Sequence, residues 1–311
     1  MSRDKQPTGV QLVPVSADHN GQRLDNFLSA RLKGLPRSAL YRIIRTGQVR
    51  INGGRCKPAT RLSEGDTVRI PPARVIKPGK APISEAVQSQ IKNAILFQND
   101  DLLVINKPSG MAVHAGSGLP WGLIDVVRRM FPDSYHELAH RLDRETSGCI
   151  LLARNGKALS HLTGFFRDGG IDKYYLCLLD GEMNLPLIEV DAALRKVDGA
   201  TERLMEVHDD GKPALTRFRK LEGFSGCTYA EAELFTGRTH QIRAHARHIG
   251  MPLAGDKRYA TKESVKKWKK QGLKRVFLHA HRLCFSMDSG ERLEFDAPLP
   301  DHLRAVLDGL G

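Results

Sequence analysis

The chain has 311 residues, of which 41% are hydrophobic and 27% charged, a composition typical of a folded globular protein with room for two domains. No run approaches the roughly 20 apolar residues that a membrane helix needs, and the first residues lack the apolar core of a signal peptide, so a cytoplasmic protein without membrane contact is expected. The five cysteines form no CxxC pair, which disfavours disulfides and a cysteine-ligated zinc site.

The net charge of +13 is concentrated at one end of the chain. Residues 1–80 hold sixteen Lys and Arg against five Asp and Glu, whereas residues 81–311 hold thirty-two against thirty. A basic module beside a near-neutral body indicates an arm that binds a polyanion. A basic, solvated tail is the alternative interpretation of the same charge.

The basic segment has the pattern of a small folded module. Apolar side chains recur at helical spacing within residues 21–35, and a second helix is predicted for Arg37–Thr46. Short strands are predicted at Val49–Asn52, before a Gly-Gly turn, and at Thr67–Ile70. The apolar positions expected to face inward are Leu24, Phe27, Leu28, Leu32, Leu40, Ile43 and Ile44.

The outer face of the second predicted helix is cationic and carries no acid. Arginine pairs bidentately with phosphate, and tyrosine can stack on a base or donate a hydrogen bond, so this face is expected to contact nucleic acid rather than only water. The predicted contact residues are Arg37, Ser38, Tyr41, Arg42 and Arg45.

Residues 21–70 resemble the S4 RNA-binding domain. The resemblance is carried by Gly-Gln-Arg-Leu-Asp-Asn-Phe-Leu, by Pro-Arg-Ser-Ala-Leu-Tyr-Arg-Ile-Ile-Arg-Thr-Gly-Gln-Val-Arg-Ile-Asn-Gly and by Gly-Asp-Thr-Val-Arg-Ile. It implies RNA binding but no chemistry. We therefore expect a flexible N-terminus at 1–20, an S4-like α-α-β domain at 21–72 and a proline-rich linker at 73–90.

The rest of the chain, residues 91–311, is predicted to form one α+β body. A hairpin is expected where Ile95–Phe97 and Leu102–Ile105 flank a polar turn. Strands outnumber helices and do not alternate with them, which favours a mixed or antiparallel sheet. The other predicted elements are helices at Leu123–Met130 and Lys157–Phe166, and strands at Cys149–Ala153, Tyr174–Leu179, Thr228–Leu234 and Leu283–Phe285.

Two polar segments beside predicted strands could carry chemistry. Asn106–His114 contains Lys107, which could be a phosphate contact or an ordinary surface lysine. His140–Gly148 places Asp143 among arginines directly before a strand. Nearby cations favour an ionised carboxylate, which can act as a nucleophile or a base, whereas a surface turn with local ion pairs is the alternative.

A third segment, Thr236–Arg247, reads as a loop entering a helix with Arg243 and Arg247 on one side. The amides of the helix start and these arginines could bind an anion. The two histidines in this segment lack carboxylate or thiolate partners at suitable spacing, so no metal is expected. The sequence contains no P-loop, no dinucleotide fingerprint and no GxSxG elbow, so no cofactor is expected.

Together these segments resemble the RluA-type pseudouridine synthase family, which includes the enzymes that act on large-subunit ribosomal RNA. The shared motifs are His-Arg-Leu-Asp-Arg-Glu-Thr-Ser-Gly at 140–148, Lys-Tyr-Tyr at 173–175, Thr-Gly-Arg-Thr-His-Gln-Ile-Arg-Ala-His at 236–245 and Gly-Met-Pro-Leu-Ala-Gly-Asp at 250–256. The resemblance covers essentially the whole chain, with the motifs in the expected order. It implies a pseudouridine synthase catalytic domain with a mixed or antiparallel sheet.

The family resemblance also implies roles for individual residues. Asp143 would act on the ribose as the glycosidic bond breaks, and Arg243 would pair with it. Tyr175 would lie against the uracil and serve the C5 proton step, although from the sequence alone a core role is the better interpretation. Arg141 would fill the space left by the flipped base. Further RNA contacts are expected from Lys107, His140 and Arg238.

Two other functions remain open from the residues alone. A non-catalytic RNA-binding or ribosome-assembly protein explains the basic arm but gives the Asp143 segment no purpose. An N-glycosidase would want a second carboxylate and an open path for water. The expected partner is large-subunit ribosomal RNA, bound by a monomer. The basic run Lys262–Arg275 either touches RNA or forms a solvated helix face.

Overall fold

The computed structural model describes residues 9–32, 35, 37–72, 82–115, 119–198, 203–286 and 290–311. The chain divides into two compact units, residues 1–81 and 82–311. Among the described residues, no helix is both long enough and apolar enough to cross a bilayer.

The smaller unit combines a three-stranded antiparallel sheet, in the order β1-β3-β2, with two short helices. The buried side chains include every residue that was predicted to face inward except Leu32, which is only partly buried. Its elements are β1 (Gln11–Pro14), a 3-10 turn (Ala17–His19), α1 (Leu24–Arg31), α2 (Arg37–Arg45), β2 (Arg50–Ile51) and β3 (Thr67–Ile70).

The expectation of a flexible N-terminus at 1–20 is wrong for its second half. Strand β1 pairs antiparallel with β3, from Gln11 opposite Ile70 to Pro14 opposite Thr67. The side chain of Val15, next to this strand, is buried. A four-residue edge strand gives little periodic signal, because its apolar and polar residues also fit an irregular segment. Residues 1–8 lie outside the described residues.

Tyr41 does not present its hydroxyl to solvent as predicted. Its Oη donates to Oδ2 of the buried Asp25 at 3.0 Å, and its ring packs against the core of the smaller unit. Arg23 holds the same carboxylate, and its hydrogen bonds lower the pKa of Asp25 to about 2, with a further contribution from Tyr41. The tyrosine thus satisfies a buried acid, so its assignment as an RNA contact is corrected.

The larger unit contains a ten-stranded mixed sheet with helices on both faces, which confirms the predicted α+β class. The predicted hairpin, helices and strands are present, most of them with small changes of boundary, but the strand predicted at Leu283–Phe285 extends over Leu278–Ser286. Its elements are α3 (Glu85–Asn93), β4 (Ile95–Gln98), β5 (Leu102–Lys107), α4 (Leu123–Met130), β6 (Glu137–Leu138), β7 (Ser147–Ala153), α5 (Gly156–Asp168), β8 (Ile171–Leu179), β9 (Leu187–Asp191), β10 (Leu194–Asp198), β11 (Arg203–Val207), β12 (Leu215–Phe224), β13 (Cys227–Leu234), α6 (Gln241–His248), α7 (Lys262–Lys270), β14 (Leu278–Ser286), β15 (Arg292–Asp296) and α8 (Asp301–Asp308).

The strand order is β4-β5-β7-β14-β8-β13-β12-β9, with β15 on β14 and β6 on β7. Among the strands that the structure describes, β7 and β14 form the only parallel pair. Because side chains alternate along a strand, Tyr175 and Cys177 of β8 enter one core cluster, whereas Leu176 and Leu178 pack with α7 and α8 on the other face.

The linker expected at 73–90 is corrected in its C-terminal part. Helix α3 begins at Glu85, where the Ser84 hydroxyl accepts from the Val87 amide, and its Ile91 is buried in the core of the larger unit. The helix was not predicted because it follows a proline-rich segment and has only nine residues. Since it has a single fully buried side chain, its helical periodicity of apolar residues is weak. Residues 73–81 lie outside the described residues.

Candidate active site

A cleft of about 510 Å³ lies on the face of the sheet to which Tyr175 points. Its walls are the segment 139–143 before β7, the end of α5, and the segment 234–243 from the end of β13 into α6. The predicted site residues that line it are His140, Arg141, Asp143, Tyr175, Arg238 and Arg243. Sequence segments separated by about a hundred residues therefore meet as expected.

Asp143 is held at the wall of this cleft with its carboxylate partly accessible. Its side chain is 20% exposed, and its Oδ2 lies 3.7 Å from His240 Nε2 and 3.9 Å from Arg243 Nη1. The Thr146 amide donates to the Asp143 carbonyl at 3.1 Å, which closes the turn before β7. A carboxylate beside a guanidinium, reachable from solvent, is equipped to attack an electrophilic carbon.

Arg243 is bound most tightly by a different acid from the one predicted. Its Nε and Nη2 donate to Asp256 at 2.7 and 2.6 Å, a bidentate pair in which both side chains are buried. Burial disfavours the charge, but the hydrogen bonds and the charge of Asp256 outweigh it, so the pKa of Arg243 is raised. The third nitrogen, Nη1, is left to face Asp143, so Asp256 orients Arg243 toward the cleft.

Asp256 is the functional residue that the sequence reasoning missed most clearly. It ends the Gly-Met-Pro-Leu-Ala-Gly-Asp motif, to which no residue role was assigned. Besides Arg243 it accepts the backbone amides of Arg258 and Tyr259, so its carboxylate is saturated inside the protein. The motif itself was the available signal, because an acid after a glycine turn is suited to bind a nearby arginine.

His240 completes the surroundings of Asp143 and was likewise not assigned a role. It stands before α6 in the left-handed conformation, with φ 54°, which is uncommon for a side chain larger than glycine. Its Nδ1 lies 2.9 Å from the Tyr259 hydroxyl, which fixes the ring. Burial lowers the pKa of His240, although Asp143 partly opposes this, so the ring is neutral at pH 7.

Tyr175 forms part of the buried floor of the cleft. Its side chain is largely covered, and it pairs in register with Ala232 of β13. Burial, followed by the charge of Asp143, raises the pKa of Tyr175, so its phenol is protonated at neutral pH. Tyr175 therefore packs in the core and also lines the cleft. The interpretation as a core residue and the interpretation as a residue that lies against the uracil do not exclude one another.

Lys107 is not a surface contact for RNA, and this prediction is wrong. Its side chain is fully buried, and its Nζ donates to the carbonyls of Pro108, Met111 and Arg144 at 3.0, 2.8 and 3.2 Å. Burial, then repulsion by Arg275, lowers its pKa to about 7. Because the Arg144 carbonyl follows Asp143 directly, Lys107 braces the segment that carries Asp143.

Arg275 supports the same segment from its other side. It ends the run Lys262–Arg275 that was expected to touch RNA or to form a solvated helix face, but its side chain is buried and lies beyond α7. Its Nη1 donates to the Glu145 carbonyl at 3.1 Å and its Nη2 to the Ser147 hydroxyl at 2.8 Å. Ser147 Oγ in turn lies 2.9 Å from His279 Nδ1, and His279 Nε2 lies 3.1 Å from the Ala297 carbonyl. Since a carbonyl only accepts, the His279 proton is on Nε2, and Ser147 donates to Nδ1.

The remaining predicted contacts in the larger unit differ in how accessible they are. His140 accepts the Leu151 amide at 3.0 Å and stacks on Phe166, and burial lowers its pKa to about 3, so it is a packing residue that borders the cleft. Arg141 and Arg238 are exposed at the cleft, and Arg238 donates to the Pro213 carbonyl at 3.0 Å. Both arginines can reach an incoming phosphate.

In the smaller unit, Arg42 and Arg45 are exposed on α2, where the prediction placed them. The side chains of Arg37 and Ser38 lie outside the described residues. No group of three His, Cys, Asp or Glu side chains suited to a metal ion occurs in the part of the chain that the structure describes.

Comparison with known proteins identifies the family to which the chain is similar. A family model described as RNA pseudouridylate synthase matches residues 101–248, and an S4 domain model matches residues 22–68. The chain is 43% identical over 308 residues to ribosomal large subunit pseudouridine synthase C of Haemophilus influenzae, covering 97% of this chain and 96% of that one. The corresponding protein of Yersinia pestis is 45% identical over 303 residues, covering 96% and 95%.

Solved structures agree with these relatives. Human RNA pseudouridylate synthase domain containing 1 matches with a TM-score of 0.57 and 28% identity, covering 67% of this chain and 83% of that one. Human RNA pseudouridylate synthase domain containing 4 shares the fold, with a TM-score of 0.61 over 72% of this chain and 95% of that one, at 23% identity. The chain belongs to the RNA pseudouridylate synthase family. It is therefore an isomerase with an S4 domain, and a purely RNA-binding function is set aside.

Proposed function

We propose that this protein converts specific uridines of large-subunit (23S) ribosomal RNA to pseudouridine, with Asp143 as the catalytic carboxylate. The observation that carries the proposal is the Asp143 side chain in the cleft, close to Arg243 and above Tyr175. The relatives named for the large ribosomal subunit match nearly the whole chain, which supports this choice of RNA. The reaction rearranges bonds within one nucleotide, so it requires no cofactor.

The first step is the exposure of the target uridine. Its C1′ cannot reach Asp143 while the base is stacked, and flipping a base costs a few kcal/mol. Arg141, exposed at the cleft, is placed to fill the vacated space, because a guanidinium plane stacks on bases and binds phosphate. Arg238 provides a second cation for the backbone.

The second step exchanges the bond at C1′. An Asp143 oxygen forms a bond to C1′, and uracil leaves with the electron pair of the broken C1′–N1 bond. The uracil rotates within the cleft, and its C5 attacks C1′, which breaks the C1′–O bond and returns the carboxylate. Water has to be kept out during the rotation, because it would capture the sugar and release free uracil.

The last step moves one proton. The C5 hydrogen must leave, and N1 must gain a hydrogen, so no proton is consumed overall. Tyr175 is a neutral phenol, so it accepts the C5 proton only as it passes its own proton to a neighbouring base. The Asp143 carboxylate, freed in the preceding step, is such a base. It then releases the proton to solvent as N1 takes one up, so the carboxylate and the phenol are both restored.

The buried groups around the cleft keep Asp143 and Arg243 in place. Lys107 and Arg275 bind the carbonyls that follow Asp143, and Asp256 aims Arg243. None of these three residues reaches the RNA, so each is a positioning residue. Preorganised charges of this kind need no rearrangement during the reaction.

We further propose that residues 21–72 form the arm that binds RNA and residues 91–311 the catalytic domain. Arg42 and Arg45 contact the phosphate backbone, since both are exposed on one helix. The protein acts as a monomer in the cytoplasm, where the ribosomal RNA is assembled into subunits.

The test is an incubation of the full chain with fragments of 23S ribosomal RNA. The expected product is an isomer of unchanged mass in which the C5 hydrogen has exchanged with solvent. Free uracil would indicate an N-glycosidase, and unchanged RNA across fragments of the whole molecule would contradict the proposal. Mapping of pseudouridines in a strain that lacks the protein then identifies the target positions.

A further inference from the structure

Phe235 is an aromatic side chain at the cleft that no step above uses. It directly follows β13, and its amide donates to the Leu215 carbonyl at 3.2 Å, so its backbone is fixed to the sheet. The residue lines the cleft and is 40% exposed. Its neighbour Leu234 is buried in the core on the cleft floor. Phe235 therefore lies at the edge of the cleft where β13 ends, with its ring on the side of the sheet that carries Arg217.

A guanidinium holds the Phe235 ring from one side. The Arg217 Cζ lies 4.7 Å from the ring centroid. Arg217 is itself restrained, because it donates to Glu189 at 3.0 Å and to Glu233 at 3.1 Å. These carboxylates balance its charge, so Arg217 serves as a support for the ring. An exposed ring that is already ordered loses little conformational entropy when a ligand stacks on it.

The surroundings of Phe235 fit a single-stranded nucleotide. The cleft rim carries the exposed cations Arg141 and Arg238, which suit a phosphate backbone. Unstacked RNA bases are bound by aromatic rings beside such cations, because every base has a π-face. The target base itself must go deeper, to the level of Asp143 and Tyr175. The rim position therefore corresponds to a nucleotide next to the target.

We propose that Phe235 is a stacking platform for an RNA base that flanks the isomerised uridine. The inference rests on the proposed function, because it uses the same cleft and the same RNA. Flipping the target uridine removes a stacking partner from its neighbours, and the Phe235 ring replaces that partner. Phe235 thus stabilises the opened RNA and contributes to the choice of sequence around the target.

The expected loss follows from the strength of such contacts. Removal of an aromatic platform costs about 1–3 kcal/mol per base, which corresponds to roughly a 5- to 150-fold weaker affinity. Phe235→Ala should therefore weaken RNA binding by a factor in this range, whereas Phe235→Trp should retain or improve it. Tyr135→Ala is the matched control, because Tyr135 is an aromatic residue of similar exposure (47%) that is not among the residues lining the cleft.

A double-mutant cycle identifies the stacked base. The dissociation constants of the full-length parent and of Phe235→Ala are measured on a 23S fragment that contains the target uridine, and on versions with one flanking nucleotide made abasic. Both proteins also carry Asp143→Asn, so that no turnover occurs. At one flanking position, loss of the base should abolish the effect of Phe235→Ala.

Two outcomes would overturn the platform. In the first, Phe235→Ala binds the RNA as tightly as the parent. In the second, Phe235→Ala lowers the affinity by the same factor on the intact RNA and on every abasic RNA. These results leave the proposed function intact, because the protein with Asp143 restored is assayed for pseudouridine separately. Absence of pseudouridine in that assay contradicts the proposed function and the platform together, whereas absence of the base-specific effect alone contradicts only the platform.

Discussion

Asp256→Asn tests whether Asp256 sets the position of Arg243. The substitution keeps the size of the side chain and one oxygen, which can still accept the two backbone amides. The other oxygen becomes an NH₂ group, and this donor faces a guanidinium nitrogen that also donates. Arg243 thus loses the hydrogen bond from its Nε and the compensating charge, while its Nη2 can still donate to the remaining oxygen.

The size of the effect follows from these contacts. Hydrogen bonds to charged groups contribute about 1.5–3 kcal/mol each, and breaking a buried ion pair from one side costs about 3–5 kcal/mol. We expect the larger unit to lose about 3–5 kcal/mol of unfolding free energy on this basis. A displacement of Arg243 by about 1 Å from Asp143 should lower the single-turnover rate roughly a hundredfold.

The assay combines stability and rate. Urea unfolding is followed by tryptophan fluorescence, which reports on the larger unit because Trp121 and Trp268 are the two tryptophans of the chain. The rate is measured with saturating enzyme, at a temperature where the variant remains folded. RNA affinity should change little, because Asp256 is fully buried.

Glu137→Gln is the control. Glu137 pairs with Arg128 at 2.7 Å, a partly exposed contact that does not line the cleft, so its loss should cost no more than about 1 kcal/mol and leave the rate unchanged. If Asp256→Asn behaved like this control in both measurements, Asp256 would not be the group that holds Arg243.

Three further predictions concern Gly148 at the start of β7, the buried His279 and the RNA-binding arm. Gly148→Ala should destabilise the larger unit by more than about 3 kcal/mol in the same urea assay, because a Cβ there would lie 2.1 Å from a β14 carbonyl, whereas Gly164→Ala inside α5 should stabilise it by about 0.5–1 kcal/mol. Burial lowers the pKa of His279 to about 4, below its ordinary value near 6.5, so the unfolded state binds the extra proton between these pH values and stability falls on acidification. His279→Gln should remove about 3 kcal/mol of that pH dependence, and an unchanged slope would contradict it. Arg42→Ala with Arg45→Ala should reduce the slope of log affinity against log salt by about 2, and an unchanged slope would show that these arginines meet no phosphate.

The parts of the site that lie within one motif could be predicted from the sequence. Asp143, its neighbouring arginines and the helix that begins after His240 are local, so their spacing already places them. The mixed sheet followed from the count and order of apolar runs. The S4-like arm followed from its charge and its two apolar stripes.

Residues whose partners are distant in sequence were misjudged or missed. Lys107 read as a surface lysine because nothing local shows that it binds the Arg144 carbonyl, 37 residues away. Tyr41 sits on the polar side of its helix, yet it satisfies an acid 16 residues earlier. Arg275 lies 128 residues from Ser147. Buried polar groups need partners, but only the folded chain identifies them.

The exposed Phe235 was missed for a different reason. An aromatic residue at the end of a strand is most often part of the core, and the preceding leucine has that role. Only the folded chain shows that the Phe235 ring is exposed beside the cleft and contacts Arg217.

The most direct measurement is pseudouridine formation by Asp143→Asn on a 23S fragment that the unaltered protein modifies. Loss of the negative charge from this carboxylate should abolish the product even in single-turnover reactions with excess enzyme, while the dissociation constant for the RNA stays within a few-fold of the parent value. Substantial conversion by the variant would show that another group attacks the sugar.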